Sequence, residues 1–257
     1  MIHTRSTTAA RETYDAFAPF YDRFNSRYKF RRWTGRLLEA AQGSGLQPAA
    51  PRQLLDLGCG TGLSSIPMAE RAWKVVACDL SPEMIRRAGM KASAGIDYRV
   101  ADMRDLPHFD EGPFDLVWAV NDTVNYLLTE DELEAALAGM KANVAGNGRV
   151  VFDVNTCATY ETFFSGHLEV EVDGGVLRWE GKPATAEAGG LHEAEVFDVD
   201  GIGHRHVQRH FSQATITGAF EEVGLDLCAV MGEFDGDLFD ELDETHHTKA
   251  VYVGRRS

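Results

Sequence analysis

The chain has 257 residues, 44% of them hydrophobic and 25% charged, which suits one α/β domain with an elaboration or two small domains. Its formal net charge of −15 argues against a polyanion partner, because phosphate backbones are gripped by clustered Lys and Arg, and only residues 27–36 are noticeably basic. No run of about 18 apolar residues occurs, so nothing reads as a membrane span.

Cys59, Cys78, Cys157 and Cys228 lack C-x-x-C spacing and read as reduced thiols of a cytoplasmic protein. The first eleven residues, rich in Ser, Thr and Arg, are expected to be a flexible tail rather than a transit peptide, since no amphipathic Arg stripe comes after them. Residues 12–42 have a helical pattern, with Phe17, Phe20, Tyr21, Phe24, Trp33, Leu37 and Leu38 as apolar positions and a break at Pro19. Residues 43–51, rich in Gly, Pro and Ala, form a connector into the main domain.

Residues 53–62, QLLDLGCGTG, read as a buried strand, a tight turn and the start of a helix. Gly58, Gly60 and Gly62 allow positive φ and let a ligand approach the backbone, while the helix offers unpaired N–H groups. The dinucleotide fingerprint fails, because its third glycine would fall at Leu63. Asp56 beside the turn suits a ligand carrying positive charge or an amino group rather than a pyrophosphate. The stretch resembles motif I of the class I S-adenosylmethionine-dependent methyltransferases. That resemblance implies an α/β, Rossmann-like, seven-stranded mostly parallel sheet with an antiparallel last strand, with S-adenosyl-L-methionine as cofactor.

The resemblance extends along the chain. TYDAFAPFYD, residues 13–22, looks like the family's N-terminal lid signature, and Trp33 comes after Tyr21 at the family's spacing; Tyr14, Tyr21 and Trp33 then either touch the cofactor or fill a core. In the glycine turn the resemblance assigns Asp56, Gly58, Cys59, Gly60 and Gly62 to the cofactor. The strand WKVVACD ends in Asp79, placed to accept the ribose hydroxyls. Leu80 is next, then Ser81 as N-cap and Pro82 at the first helical position. Met84 packs either on the adenine or into the core. At the end of strand 96–101 the family places an acid on the adenine amino group and a backbone amide on a ring nitrogen; Asp102 and Met103 fill those positions, with Arg104 and Asp105 expected at the surface.

The fourth strand begins near Phe114 and loses its apolar run at Asn121. Ligands lie beyond the carboxyl ends of such strands, so Val120, Asn121, Asp122, Asn125 and Tyr126 face the methyl-transfer point, Val120 and Asn121 on the cofactor side. The run NDTVNYL resembles the "DSLNYL" sequences of a small-molecule branch that includes amino-sugar N-methyltransferases of antibiotic pathways. Asp122 and Thr123 equally suit the start of a helix. Helix 129–144 opens with acids and carries a core stripe, and strand 148–154 comes next, ending near Asp153 and Asn155 at the substrate mouth.

Between residues 156 and 211 four segments alternate at strand spacing, 167–173, 176–181, 191–199 and 204–211, separated by DGG, an AGG-containing linker and VDG. They predict an antiparallel cap over the sheet's carboxyl edge. His204, His206, Gln208 and His210 share one face of the last segment. No metal is assigned to them, because neighbours on one strand face seldom converge on one ion. HxQRxF, residues 206–211, resembles the same branch and adds Arg209 to the substrate side. An unperturbed imidazole suits a base, so His206 or His210 is the first candidate, with Tyr126 and Asp122 as alternatives. Helix 212–223 with Gly224 as C-cap, strand 225–234, an acidic hairpin tip 235–244 and strand 248–253 match the family's ending.

The expected organisation is a lid, 1–50, a cofactor-binding domain, 51–155 and 212–257, and a substrate cap, 156–211. The expected activity is methyl transfer to N or O of a small molecule, of the kind met in natural-product biosynthesis, by a cytoplasmic monomer or homodimer with no nucleic-acid or membrane partner. An NAD-dependent oxidoreductase is disfavoured by Leu63, and a nucleic-acid methyltransferase by the charge and the missing NPPY motif.

Overall fold

The computed structural model describes residues 2–91, 94–183 and 189–257. Three helices come first, α1 (Ile2–Phe17), α2 (Tyr21–Phe24) and α3 (Phe30–Gly43). The expected flexible tail is instead the first turns of α1. The break falls where Pro19 predicts it, since proline lacks an N–H and restrains the residue before it.

The main sheet gathers β1 (Arg52–Leu57), β2 (Trp73–Asp79), β3 (Ile96–Val100), β4 (Phe114–Ala119) and β5 (Val144–Asn155), with α4 (Ser65–Glu70), α5 (Pro82–Met90) and α6 (Glu130–Asn143) between them. Its order is β11-β10-β12-β5-β4-β1-β2-β3, where β10 is Leu225–Phe234, β11 Asp237–Phe239 and β12 Lys249–Arg256. β12 runs antiparallel to both β5 and β10, as the expected ending requires. The eighth strand, β11, is made from the acidic stretch expected to be a solvated tip.

Both faces of the sheet are buried, which is why its strands read as nearly continuous apolar runs. Leu55, Leu57 and Val117 meet α6 and α8 (Gln213–Val223) on one side, while Leu54, Leu116 and Trp118 meet α3 and α4 on the other. Strand order reverses between β1 and β4, and that switch point opens a crevice at their carboxyl ends.

After β5 comes α7 (Cys157–Thr162), a helix that the sequence pattern did not predict. The four predicted cap strands are β6 (His167–Val172), β7 (Gly175–Gly181), β8 (Leu191–Phe197) and β9 (Gly203–Arg209), antiparallel in the order β6-β7-β8-β9. Much of the AGG-containing linker region lies outside the described residues. The cap's inner face, Trp179, Ala194 and Val196, packs on Tyr160, Phe164 and Phe17 of α1, so lid and cap share one apolar cluster. Thr13 Oγ1 also donates to the Arg205 carbonyl at 3.0 Å. Among the described residues no helix is long and apolar enough to cross a membrane.

Candidate active site

Two hollows meet at the carboxyl edge of the sheet. The first encloses about 780 Å³ including its open mouth, and Tyr14, Tyr21, Gly58, Gly60, Asp79, Leu80, Asp102, Met103 and Asn121, residues that the sequence reading assigns to the cofactor, line it. Its floor is the glycine turn, where Gly58 and Gly60 take φ of 65° and 54°. A Cβ on Gly58 would run into Thr123 Cγ2, and one on Gly60 would sit 3.5 Å from the Tyr21 ring. Asp79 is the hub: Oδ2 accepts the Gly60 N–H and Oδ1 the Ser81 N–H, both at 2.8 Å. Burial pushes its carboxyl up to about 6, against the pull of those amides. The next helix is capped by Ser81 with Pro82 in its first turn, as predicted.

Helices α1 and α2 are fastened over this hollow by two acids. Asp15 Oδ1 accepts Ser81 Oγ at 2.5 Å and the Glu83 N–H at 3.2 Å. Asp22 takes the Thr61 hydroxyl and pairs with Lys91 Nζ at 2.5 Å.

Six predicted cofactor contacts do not line the hollow. Asp56 lies beneath the turn, fully buried, and accepts Ser64 Oγ at 2.7 Å and Ser65 Oγ at 2.5 Å; it anchors the start of α4 rather than meeting a ligand. Cys59 is buried, with its N–H bonded to the Cys78 carbonyl at 2.9 Å. Gly62 is kept bare by the Tyr98 hydroxyl, which a Cβ there would strike. Met84 is buried, and so are Trp33 and Val120, which join the core under α3. Arg104, expected at the surface, instead lines the hollow and holds Asp102 through Nε–Oδ1 and Nη2–Oδ2 bonds of 2.8 Å each. An Arg two residues after an acid carries no periodicity signal, so the sequence alone could not raise it.

The second hollow, about 890 Å³, lies under the cap. Tyr14, Tyr21, Asn121 and Tyr126 line both hollows and form their common wall. Aromatic side chains, Phe17, Phe24, Phe163, Phe164 and Trp179, make most of the second hollow's other walls, and Asp122, Gln208, Lys249 and His206 supply its polar end. Tyr126 Oη lies 2.9 Å from His206 Nδ1, and His206 Nε2 is buried without a partner. Burial drives the His206 pKa down to about 3, with His204 adding to the effect. The premise of an unperturbed imidazole is therefore corrected: this ring is neutral.

Asp122 binds Lys249 Nζ at 3.0 Å through Oδ1 and accepts Gln208 Nε2 at 2.7 Å through Oδ2. Burial raises its pKa, with Lys249 opposing. For Lys249, burial disfavours the charge, but Asp122 and then Asp153 outweigh it and raise its pKa. The sequence reading missed Lys249, although a lone cation opening the apolar strand KAVYVG was a signal.

The other predicted residues lie elsewhere. His210 is buried outside both hollows: Nε2 is 2.9 Å from Glu244 Oε2 and 3.5 Å from Cys157 Sγ, and Nδ1 accepts the Gly189 N–H at 3.2 Å. With Nδ1 accepting, Nε2 carries the proton and donates it to Glu244, so this nitrogen offers no lone pair to an ion or to an acceptor. Asn125 is a buried brace, donating to the Arg209 carbonyl at 2.8 Å and accepting the Asn155 N–H at 2.9 Å. Arg209 reaches the Leu128 carbonyl at 3.1 Å and stacks over Phe211.

The first hollow fits an adenosyl ligand. It has nucleoside scale, a bare glycine floor, a carboxylate at the end of β2 and Met103 at the end of β3. Residues 54–148 match the family model described as a methyltransferase domain. The fold is the Rossmann-like one of solved S-adenosylmethionine-dependent methyltransferases. The chain is 29% identical over 229 residues to the Bacillus subtilis (strain 168) protein named "Putative methyltransferase YqeM", covering 86% of this chain and 90% of that one. Among solved structures, an S-adenosylmethionine-dependent methyltransferase from Clostridium acetobutylicum ATCC 824 superposes with a TM-score of 0.74 at 21% identity, over 95% of this chain and 99% of the other. The amino pentose methyltransferase CalS10 from Micromonospora echinaspora, solved with the cofactor bound, gives 0.63 at 24% identity over 91% and 96%.

Proposed function

We propose that the protein transfers a methyl group from S-adenosylmethionine to a nitrogen or oxygen of a small-molecule acceptor by in-line displacement. The observation that carries this reading is the common wall: the cofactor hollow and the aromatic hollow under the cap meet at Tyr14, Tyr21, Asn121 and Tyr126. When bound, the cofactor supplies a methyl group activated by its sulfonium. Asp79 would hold the ribose hydroxyls, the Gly58–Gly60 turn the backbone-facing side, and Asp102 and Met103 the adenine edge.

The rest is alignment and exclusion of water, and positioning of this kind supplies about 7–11 kcal/mol of barrier reduction. The aromatic walls keep the second hollow dry, and its polar end fixes the acceptor's orientation. Asp122, with its raised pKa, is the better proton acceptor, while neutral His206 and Tyr126 orient the nucleophile by hydrogen bonding. Segments 1–50, 51–155 with 212–257, and 156–211 would serve as lid, cofactor domain and acceptor cap.

A small acceptor also accords with the net charge of −15, which disfavours nucleic acid. The likeness to an amino pentose methyltransferase supports a metabolite of natural-product type. The test is calorimetric titration with S-adenosylhomocysteine, and then transfer of labelled methyl from S-adenosylmethionine to a panel of small amines, hydroxyl compounds and RNA. Binding plus label in a small molecule is expected; no binding, or label only in RNA, overturns the reading.

A further inference from the structure

Asn121 and Asp122 are consecutive non-glycine residues in the left-handed region, with φ of 62° and 56°, at the carboxyl end of β4. Asn and Asp enter that region more readily than other L residues, yet two in succession are uncommon, and a specific set of bonds holds them here. The holder is Asp153 at the end of β5. Its Oδ1 accepts the Asn121 N–H at 2.6 Å and its Oδ2 the Asp122 N–H at 3.0 Å, with Trp33 Nε1 adding a long bond of 3.4 Å.

This arrangement brings the carboxylates of Asp122 and Asp153 together in a buried place. Lys249 bridges them, with Nζ 2.7 Å from Asp153 Oδ2 and 3.0 Å from Asp122 Oδ1. Lys249 comes from β12, paired with β5 at Asn155 and with β10 at Glu233, and lines only the acceptor hollow. Asn121, which it secures through Asp153, lines the cofactor hollow as well.

We propose that Lys249 is a positioning residue for the cofactor. By neutralising Asp122 and Asp153 together, it holds the left-handed Asn121–Asp122 pair and so sets the wall of a hollow it does not touch. This inference rests on the reading of that hollow as the S-adenosylmethionine site.

The test is S-adenosylhomocysteine binding to the full chain by calorimetry. Lys249→Met should weaken binding about tenfold or more, since it leaves two buried carboxylates without their shared cation, while Lys249→Arg stays within about threefold of wild type. Adding Asp122→Asn to Lys249→Met removes the unrelieved repulsion and should restore most of the affinity. A purely packing role for the lysine stem would show no such rescue. Unchanged binding in Lys249→Met, or equal loss in the single and double variants, overturns the proposal. If Lys249→Met is not recovered folded, the double variant decides: folded and binding supports the proposal, and unfolded overturns it. Failure of the wild-type chain to bind would instead overturn the cofactor reading itself.

Discussion

The hydroxyl of Tyr126 lies 2.9 Å from Nδ1 of His206, and the tyrosine belongs to both hollows while the histidine belongs only to the one beneath the cap. The histidine therefore reports on the acceptor side alone. His206→Ala should slow methyl transfer to an accepted small molecule by about tenfold, the scale of one lost orienting hydrogen bond, with S-adenosylhomocysteine affinity unchanged. Because burial holds the imidazole near pKa 3, it stays neutral from pH 5 upward, and the wild-type pH–rate profile should show no break near 6.5 that this variant removes.

Asp79→Ala should weaken S-adenosylhomocysteine binding by about 1.5–3 kcal/mol, the scale of hydrogen bonds to a charged group, measured by calorimetry at neutral pH. The pH dependence has a definite sign. Burial raises the Asp79 carboxyl to about 6, so it is ionised and able to accept hydroxyl protons above that value and becomes protonated below it. Wild-type affinity should fall as pH drops through about 6, and Asp79→Asn should flatten that response.

Gly58→Ala combines a left-handed φ of 65° with a Cβ driven into Thr123. The conformation alone costs about 1–2 kcal/mol. Thermal melts should show a loss of at least that size together with lost cofactor binding. Adding Thr123→Gly should recover the steric part but not the conformational part.

Trp179→Ala should remove about 3–5 kcal/mol of stability in urea unfolding, the usual cost of emptying an aromatic core site. Trp179 is buried against Phe163, Phe164, Phe24 and His206, so the loss falls on the cap and lid. Binding of S-adenosylhomocysteine in the folded variant should stay near wild type, because Trp179 lines only the acceptor hollow.

What could be read from the sequence was whatever leaves a local trace. β2 and β10 fall on the predicted residues, Ser81 and Gly224 are the predicted caps, and the four cap strands alternate as expected. Motif position brought Asp79, Asp102 and Asn121 to the first hollow but could not tell a residue facing it from one facing away. Asp56 and Cys59 belong to the motif because they build the turn, and His210 shares a strand face with His206 yet lies beside Glu244, which the loop after β11 carries back. The cation opening the last strand hinted at Lys249, but its pairing with Asp122 and Asp153, like that of Arg104 with Glu132, joins residues distant in sequence, and no local pattern records such partners.

Asp15 and Asp22 fasten the first helices to Ser81, Thr61 and Lys91, while Tyr14 and Tyr21 from the same segment roof both hollows. The same two side-chain clasps therefore fix the walls on both sides of Tyr14 and Tyr21, so a change at either one is felt in both chambers.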